Sequence, residues 1–224
     1  MFLSRVRLNP SRLQTRRMAS SPQVTHALVE ASAPPGGEHR AGRALWRLDH
    51  DDTGMDLYVV SPWRPDFTGL VEQAGWPTAP TWDTASYDRF LERLAEGQRW
   101  RFRVTANPTR SVPRGEGRGR VAPHRTAAHQ SQWFSMRSGG WGFAITGNGL
   151  GAENLAVVER RTLRFSRHSG PVDDRRRDVV SLTTVTVAGE LEVTSAGALR
   201  QALAGGLGRA KGYGCGLLTL APPA

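Results

Sequence analysis

Residues 205–222, GGLGRAKGYGCGLLTLAP, constrain this chain most. Five glycines fall between Gly205 and Gly214, Arg209 and Lys211 stand among them, and the apolar run Leu217–Leu220 follows at once. Such a segment is a backbone ribbon that carries cations and is clamped by a buried strand. Glycine admits positive φ and lets main-chain N–H groups approach a ligand closely. Successive N–H groups at Gly206, Gly208, Gly212 and Gly214, with Arg209 and Lys211, make a phosphate cradle. Lys211 is the single lysine against 29 arginines, so a compact charge is kept where every other cation is a fork; codon bias accounts for the same ratio.

Two familiar phosphate loops do not fit. A P-loop needs G-x-x-x-x-G-K-[ST] ahead of a helix, whereas Ala210 precedes Lys211, Gly212 follows it, and a strand comes next. G-x-G-x-x-G breaks because Lys211 stands where the third glycine belongs. A nucleotide cofactor is not expected; a polymer phosphate is. The net charge of +10 points the same way. A cationic surplus draws a chain to polyanions with an affinity that falls with salt, and arginine suits phosphate forks and stacking on bases. Cys215 is the lone cysteine, so an intrachain disulfide is excluded and a reducing cytoplasm fits. No apolar run reaches membrane-spanning length.

The hydrophobic pattern predicts an α+β fold. Leu3–Leu8 alternates as a half-buried strand does; although residues 1–29 lack acids and hold five arginines, as transit peptides do, a strand from residue 2 or 3 is the better reading. A basic loop over Asn9–Ser21 precedes a helix over Val24–Ala31, and Pro34–Gly37 breaks the chain. Strands over Ala44–Asp49 and Met55–Ser61 join across the hairpin signal Asp51–Gly54. Pro62–Pro80 reads as an irregular loop, Ser86–Ala95 as a helix and Trp100–Ala106 as a strand. That order is β-α-β-β-α-β, the ferredoxin-like unit shared with RNA-recognition motifs. Residues 1–108 form this first domain, and 109–125 a basic Gly/Arg/Pro-rich linker. Residues 126–224 form a second, tandem unit: a helix over Thr126–Arg137, strands over Phe143–Thr146, Leu155–Phe165 and Val179–Val193, a helix over Ser195–Ala204 and a strand over Leu217–Leu220. This second half is poor in strand at its start.

Four stretches together resemble the CRISPR-associated endoribonucleases of type I-E systems, the CasE group: FLSRVRLN at the start, HALV around a single histidine on the first helix, RFRVTANPTRS in the middle and GGLGRAKGYGCGLLTLAP at the close. The resemblance implies tandem ferredoxin-like domains that cut CRISPR precursor RNA at the base of the repeat hairpin. It implies metal-independent attack by the 2′-hydroxyl, leaving a 5′-hydroxyl and a 2′,3′-cyclic phosphate, with no cofactor. It also implies that the protein stays on the mature guide RNA beside the other Cascade subunits. The family's catalytic histidine matches His26. A tyrosine that some members carry three residues earlier is Gln23 here.

The residues allow that chemistry on their own terms. Histidine is the usual proton carrier near neutrality. Lys211 and Arg209 either stabilise the phosphorane charge or bind backbone phosphate; both readings stand. Arg160, Arg161, Arg164 and Arg167 in ERRTLRFSR form a basic strand suited to an RNA stem. Arg110, Arg114, Arg118 and Arg120 lie within reach of phosphates, and Arg175–Arg177 are offset by neighbouring aspartates. His124 and His129 are five apart, not the spacing of a helical metal pair, and no Cys, His or carboxylate cluster has zinc-like spacing. Trp63, Trp76 and Trp82 either cover the core or face a partner. The competing reading is a non-catalytic basic RNA-binding subunit of a ribonucleoprotein.

Overall fold

The computed structural model describes residues 1–35, 42–51, 54–77, 81–113, 115, 119–147, 154–169 and 176–223. The chain runs β1 (Phe2–Leu8), α1 (Leu13–Ser20), α2 (Pro22–Glu30), β2 (Leu45–Asp51), β3 (Gly54–Ser61), α3 (Thr68–Ala74), β4 (Trp82–Ser86) and α4 (Asp88–Glu92). It continues through β5 (Arg99–Ala106), β6 (Thr109–Val112), β7 (Arg120–Pro123), α5 (Ala127–Ser138), β8 (Phe143–Ile145), β9 (Leu155–Ser169), β10 (Arg176–Val193), α6 (Ala196–Gly205) and β11 (Leu218–Ala221). Among the described residues no helix is long and apolar enough to cross a membrane.

The first sheet has the order β2-β3-β1-β4, all antiparallel. With helices between β1 and β2 and between β3 and β4, this is a ferredoxin-like unit. The alternation read in β1 is realised: Ser4, Val6 and Leu8 are buried, and Val6 and Leu8 pack with Met18, Val29, Leu57 and Phe67. The strand that closes this sheet is β4, not the strand over Trp100–Ala106. Its five residues, WDTAS, bury little and pair along one edge of β1, so they carry almost no apolar signal.

The strand over Trp100–Ala106 forms as predicted but belongs to the second sheet. There β5 lies between β10 and β11, with Val104 opposite Val187 and Leu218. Clean alternation identifies a strand; it says nothing about its partner. The second sheet runs β11-β5-β10, and β8 and β9 follow one another along the far edge of β10. Counted from β5, this half has the same ferredoxin-like order. The strand missing from the start of the second unit is the one assigned to the end of the first.

Other differences are local. Asn9–Ser21 contains α1, which turns Thr15 and Met18 inward one turn apart. The stretch read as irregular holds α3, and the helix expected over Ser86–Ala95 shortens to α4. Within the expected linker, β6 and β7 pair as a hairpin. Gly36, Gly37, Asp52, Thr53, Arg114, Arg118 and Arg175 lie outside the described residues. Trp63 is buried and Trp82 packs edge-on against Phe67, whereas Trp76 is exposed.

The sheets are joined through β2. Leu45 and Val60 of the first sheet pack in the second core with Phe102, Phe134, Leu203, Leu207 and Leu218. Arg47, 2% exposed, crosses the same boundary. Its Nη1 donates to the carbonyls of Arg103 (2.7 Å) and Leu217 (3.0 Å) and its Nη2 to Thr219 Oγ1 (2.9 Å).

Candidate active site

Helix α2 begins with Pro22 at its first turn, where a missing N–H costs nothing. Pro22, Thr25 and Val29 form its buried face, and Thr25 Oγ1 donates to Met18 O at 3.0 Å. His26, one residue past Thr25, is thereby set at the rim of that face with its side chain 30% exposed. Its Nδ1 is turned into the protein without a hydrogen bond, 3.9 Å from Glu30 Oε1 one helical turn on. The other nitrogen, Nε2, faces the glycine-rich segment. A methyl group placed on Gly212 would lie 3.8 Å from both Cε1 and Nε2 of His26.

The glycine-rich segment is held there by β2. Gly206 and Gly214 sit at φ 75° and 79°, in the left-handed region that glycine adopts without strain. A methyl group on Gly206 would come within 2.8 Å of Leu45 Cδ2, and one on Gly214 within 2.6 Å of Trp46 Cζ3. These two glycines are pressed against the protein's own side chains, so their lack of a Cβ serves packing. Between them, Lys211–Tyr213 forms a 3-10 turn whose middle residue is Gly212. The loop closes by Leu207 N–H to Gly216 O (2.9 Å) and Gly216 N–H to Thr105 O (2.7 Å). His26 from the first unit and Gly212 from the second thus stand side by side, and sequence spacing alone does not bring them together.

Lys211 bends back so that Nζ donates to Gly205 O at 2.6 Å. Burial, and secondarily the charge of Arg43, hold its ammonium below the usual lysine range. An ammonium has three N–H donors, so two remain for a ligand. Arg209 and Gly208 are exposed and line a cleft with Arg110 and Arg137. Tyr213 packs edge-on against Phe165 of β9, with ring centroids 4.9 Å apart. Cys215 is fully buried beneath it, and burial pushes its thiol up to about 12.

The basic strand divides. Successive strand residues face opposite sides, so Arg161 shares a side with Leu163 and Phe165, toward Tyr213 and Gly214. Arg160 faces the other way, where its Nε donates to Gln130 Oε1 at 2.9 Å and its Nη2 to the Arg125 carbonyl. Gln130 is itself buried and donates to His124 O at 2.8 Å. Arg160 therefore ties β9 to the start of α5. Arg164 is exposed, and the side chain of Arg167 lies outside the described residues. A groove of about 790 Å³ opens between β6–β7 and β9–β10, and Arg120, Arg125, Asn107 and Gln130 extend its basic and amide lining. The arginine run predicts the charge there but not the amides, which reach the groove only through sheet pairing.

The remaining histidines gather little. His124 and His129 have ring centroids 6.0 Å apart, and burial, then His129, Arg110 and Arg137, hold His124 below the usual range. His50 is exposed at the end of β2. Among the described residues no three His, Cys, Asp or Glu side chains come together.

Known proteins resemble this chain in sequence and fold. The chain is 27% identical over 227 residues to the CRISPR-associated endoribonuclease Cse3 of Thermus thermophilus, covering 99% of this chain and 100% of that one. Its fold is similar to that of Cse3 bound to a 19-nucleotide RNA, with a TM-score of 0.77 and 25% identity over 99% of each chain. It is also similar to a chain of a CRISPR RNA-guided surveillance complex in a pre-nicking state, with a TM-score of 0.64 and 26% identity over 100% of each. The family model described as CRISPR associated protein matches residues 1–222, and the chain belongs to that family.

Proposed function

We propose that this protein is an endoribonuclease that cleaves CRISPR precursor RNA at the base of the repeat hairpin and stays on the mature guide RNA beside the other Cascade subunits. The observation that carries the reading is the close approach of His26 Nε2 to Gly212 of a cationic glycine-rich loop. A relative named an endoribonuclease, and relatives solved with RNA and within an RNA-guided complex, support it.

His26 Nε2, the open nitrogen, takes the proton of the 2′-hydroxyl. The freed oxygen attacks the adjacent phosphorus, the P–O5′ bond breaks, and the departing 5′-oxygen takes a proton from water. The ends are a 2′,3′-cyclic phosphate and a 5′-hydroxyl. Lys211 sets a cation next to Gly212, where charge on the phosphorane oxygens grows. Arg161, on the same side as Tyr213, and the exposed Arg164 hold the stem by its phosphates.

Single-turnover cleavage of a repeat hairpin by His26→Ala tests the reading. The variant should bind the hairpin as wild type does and cleave ~10²–10⁴-fold more slowly. Cleavage should persist in excess EDTA and leave cyclic phosphate ends. A wild-type rate in the variant, a strict Mg²⁺ requirement or a 3′-hydroxyl product would overturn it.

A further inference from the structure

Arg209 of the glycine-rich loop lines a cleft of about 610 Å³ whose lining includes neither His26 nor Gly212. There it meets Arg110 from β6 and Arg137 from α5, over a floor formed by Trp133, Trp141 and the backbone of Gly208. We propose that this cleft takes a single-stranded segment of RNA flanking the hairpin. The inference rests on the RNA-processing reading above and adds a site to it.

The described lining of the cleft carries positive charge only. From Asn107 to Gly147 the chain holds six arginines and one acid, Glu116. Among the described residues, none lining the cleft is acidic. The arginines are also oriented. Arg137 stacks its guanidinium 4.6 Å from the Trp133 ring centroid and gives one N–H to the Trp133 carbonyl at 3.2 Å. A guanidinium has five N–H donors, so most of its fork is open to solvent and to phosphate. Trp133 is fixed by its own Nε1–H to Thr109 O at 3.2 Å, and Trp141 packs against it with ring centroids 5.8 Å apart. Trp141 keeps part of its indole exposed.

Basic side chains around a part-exposed indole are the elements of single-strand recognition: cations follow the backbone and a base stacks on the ring. A paired stem has no free base face to offer an indole, because its bases are already stacked on one another. An unpaired flank has. Gly208, whose methyl derivative would meet Trp133 Cη2 at 3.3 Å, brings the loop backbone down onto that ring. Arg209 is three residues from Gly212, so a strand leaving His26 crosses one loop to arrive. The same chemistry serves a flank on either side of the stem.

The test uses the full chain and a repeat hairpin made uncleavable by a 2′-deoxy substitution. Affinity is measured for the hairpin alone, with an oligouridine extension on its 5′ side, and with one on its 3′ side. One extension should tighten binding about fivefold or more, and the arm that does so names the flank. Arg137→Glu should abolish that gain while binding and cleaving the bare hairpin as wild type does. Arg137→Gln should lose it in part. Iodouridine in the active extension should photo-crosslink to Trp141 or Trp133. No gain from either extension, a gain that survives in Arg137→Glu, or a crosslink elsewhere would overturn the proposal. Failure of the enzymatic reading would show separately, as no cleavage of the ribose hairpin without extensions.

Discussion

Arg47 grips Asp49 two residues along the same strand, Nε to Oδ1 and Nη2 to Oδ2, both at 2.7 Å. The pair shares one face of β2 because side chains two apart in a strand point the same way. Asp49 neutralises a guanidinium that is otherwise spent on backbone and hydroxyl groups of the second sheet. Every N–H of Arg47 is used, and Tyr58 lies 5.4 Å from its Cζ.

Removing one member of a buried pair leaves the other charge desolvated, at a cost of about 3–5 kcal/mol. Arg47→Ala should therefore unfold at a much lower denaturant concentration than wild type. Arg47→Lys should restore little, since an ammonium cannot span the carboxylate and the three acceptors across the boundary. Urea titration followed by tryptophan fluorescence checks both; a shift within about 0.5 kcal/mol for Arg47→Ala would refute the staple.

Gly214→Val and Lys211→Ala should separate packing from charge in the loop. The valine would drive a Cβ into Trp46 at a φ of 79°, so folding and RNA binding should fall together. Lys211→Ala removes one bond to Gly205 O and should leave thermal stability near that of wild type. A loss of single-turnover rate with unchanged hairpin affinity would assign Lys211 to the transition state, and a parallel loss to ground-state phosphate binding.

Arg160 and its neighbours should behave differently on replacement by alanine. Arg160→Ala deprives the buried Gln130 of its donor and should lower stability by about 1–3 kcal/mol. Arg161→Ala with Arg164→Ala should spare stability and reduce the log–log salt dependence of hairpin binding by roughly 0.7–0.9 per lost phosphate contact. An unchanged slope would move the stem away from β9.

The Cys215 thiol should be silent in the native protein. Burial raises it from 9.0 to about 12, so a disulfide reagent at neutral pH should label it only on unfolding. The sign of the linked stability follows. Above pH 9 the unfolded chain loses a proton that the folded chain keeps, so stability falls with rising pH toward 12 and is unaffected by this group below 9. Rapid native labelling would contradict the packing of the loop against Phe165 and Leu182.

Alternation made most elements legible. Thr126 and Ser195 cap α5 and α6 by accepting from the backbone N–H of His129 and Ala198. Sheet membership was not legible, because period-two patterning reports that a face is buried and not what covers it; β5 is the example. β4 was missed because an exposed edge strand needs no apolar face. In the site, His26 and the loop were readable as chemistry through family likeness, whereas Trp46 and Arg47 carry no local mark. Their importance arises only when β2 meets residues 206–219. Arg160 looked like its neighbours in sequence, and only strand alternation turned it toward Gln130.

Gly212 follows His26 by 186 residues. During synthesis the histidine-bearing unit emerges long before the loop that faces it, and contacts this distant in sequence form late. The pairing of β11 with β5 that seats the loop is therefore a commissioning step: until it forms, a nascent chain holds His26 without the glycine-rich wall that faces it.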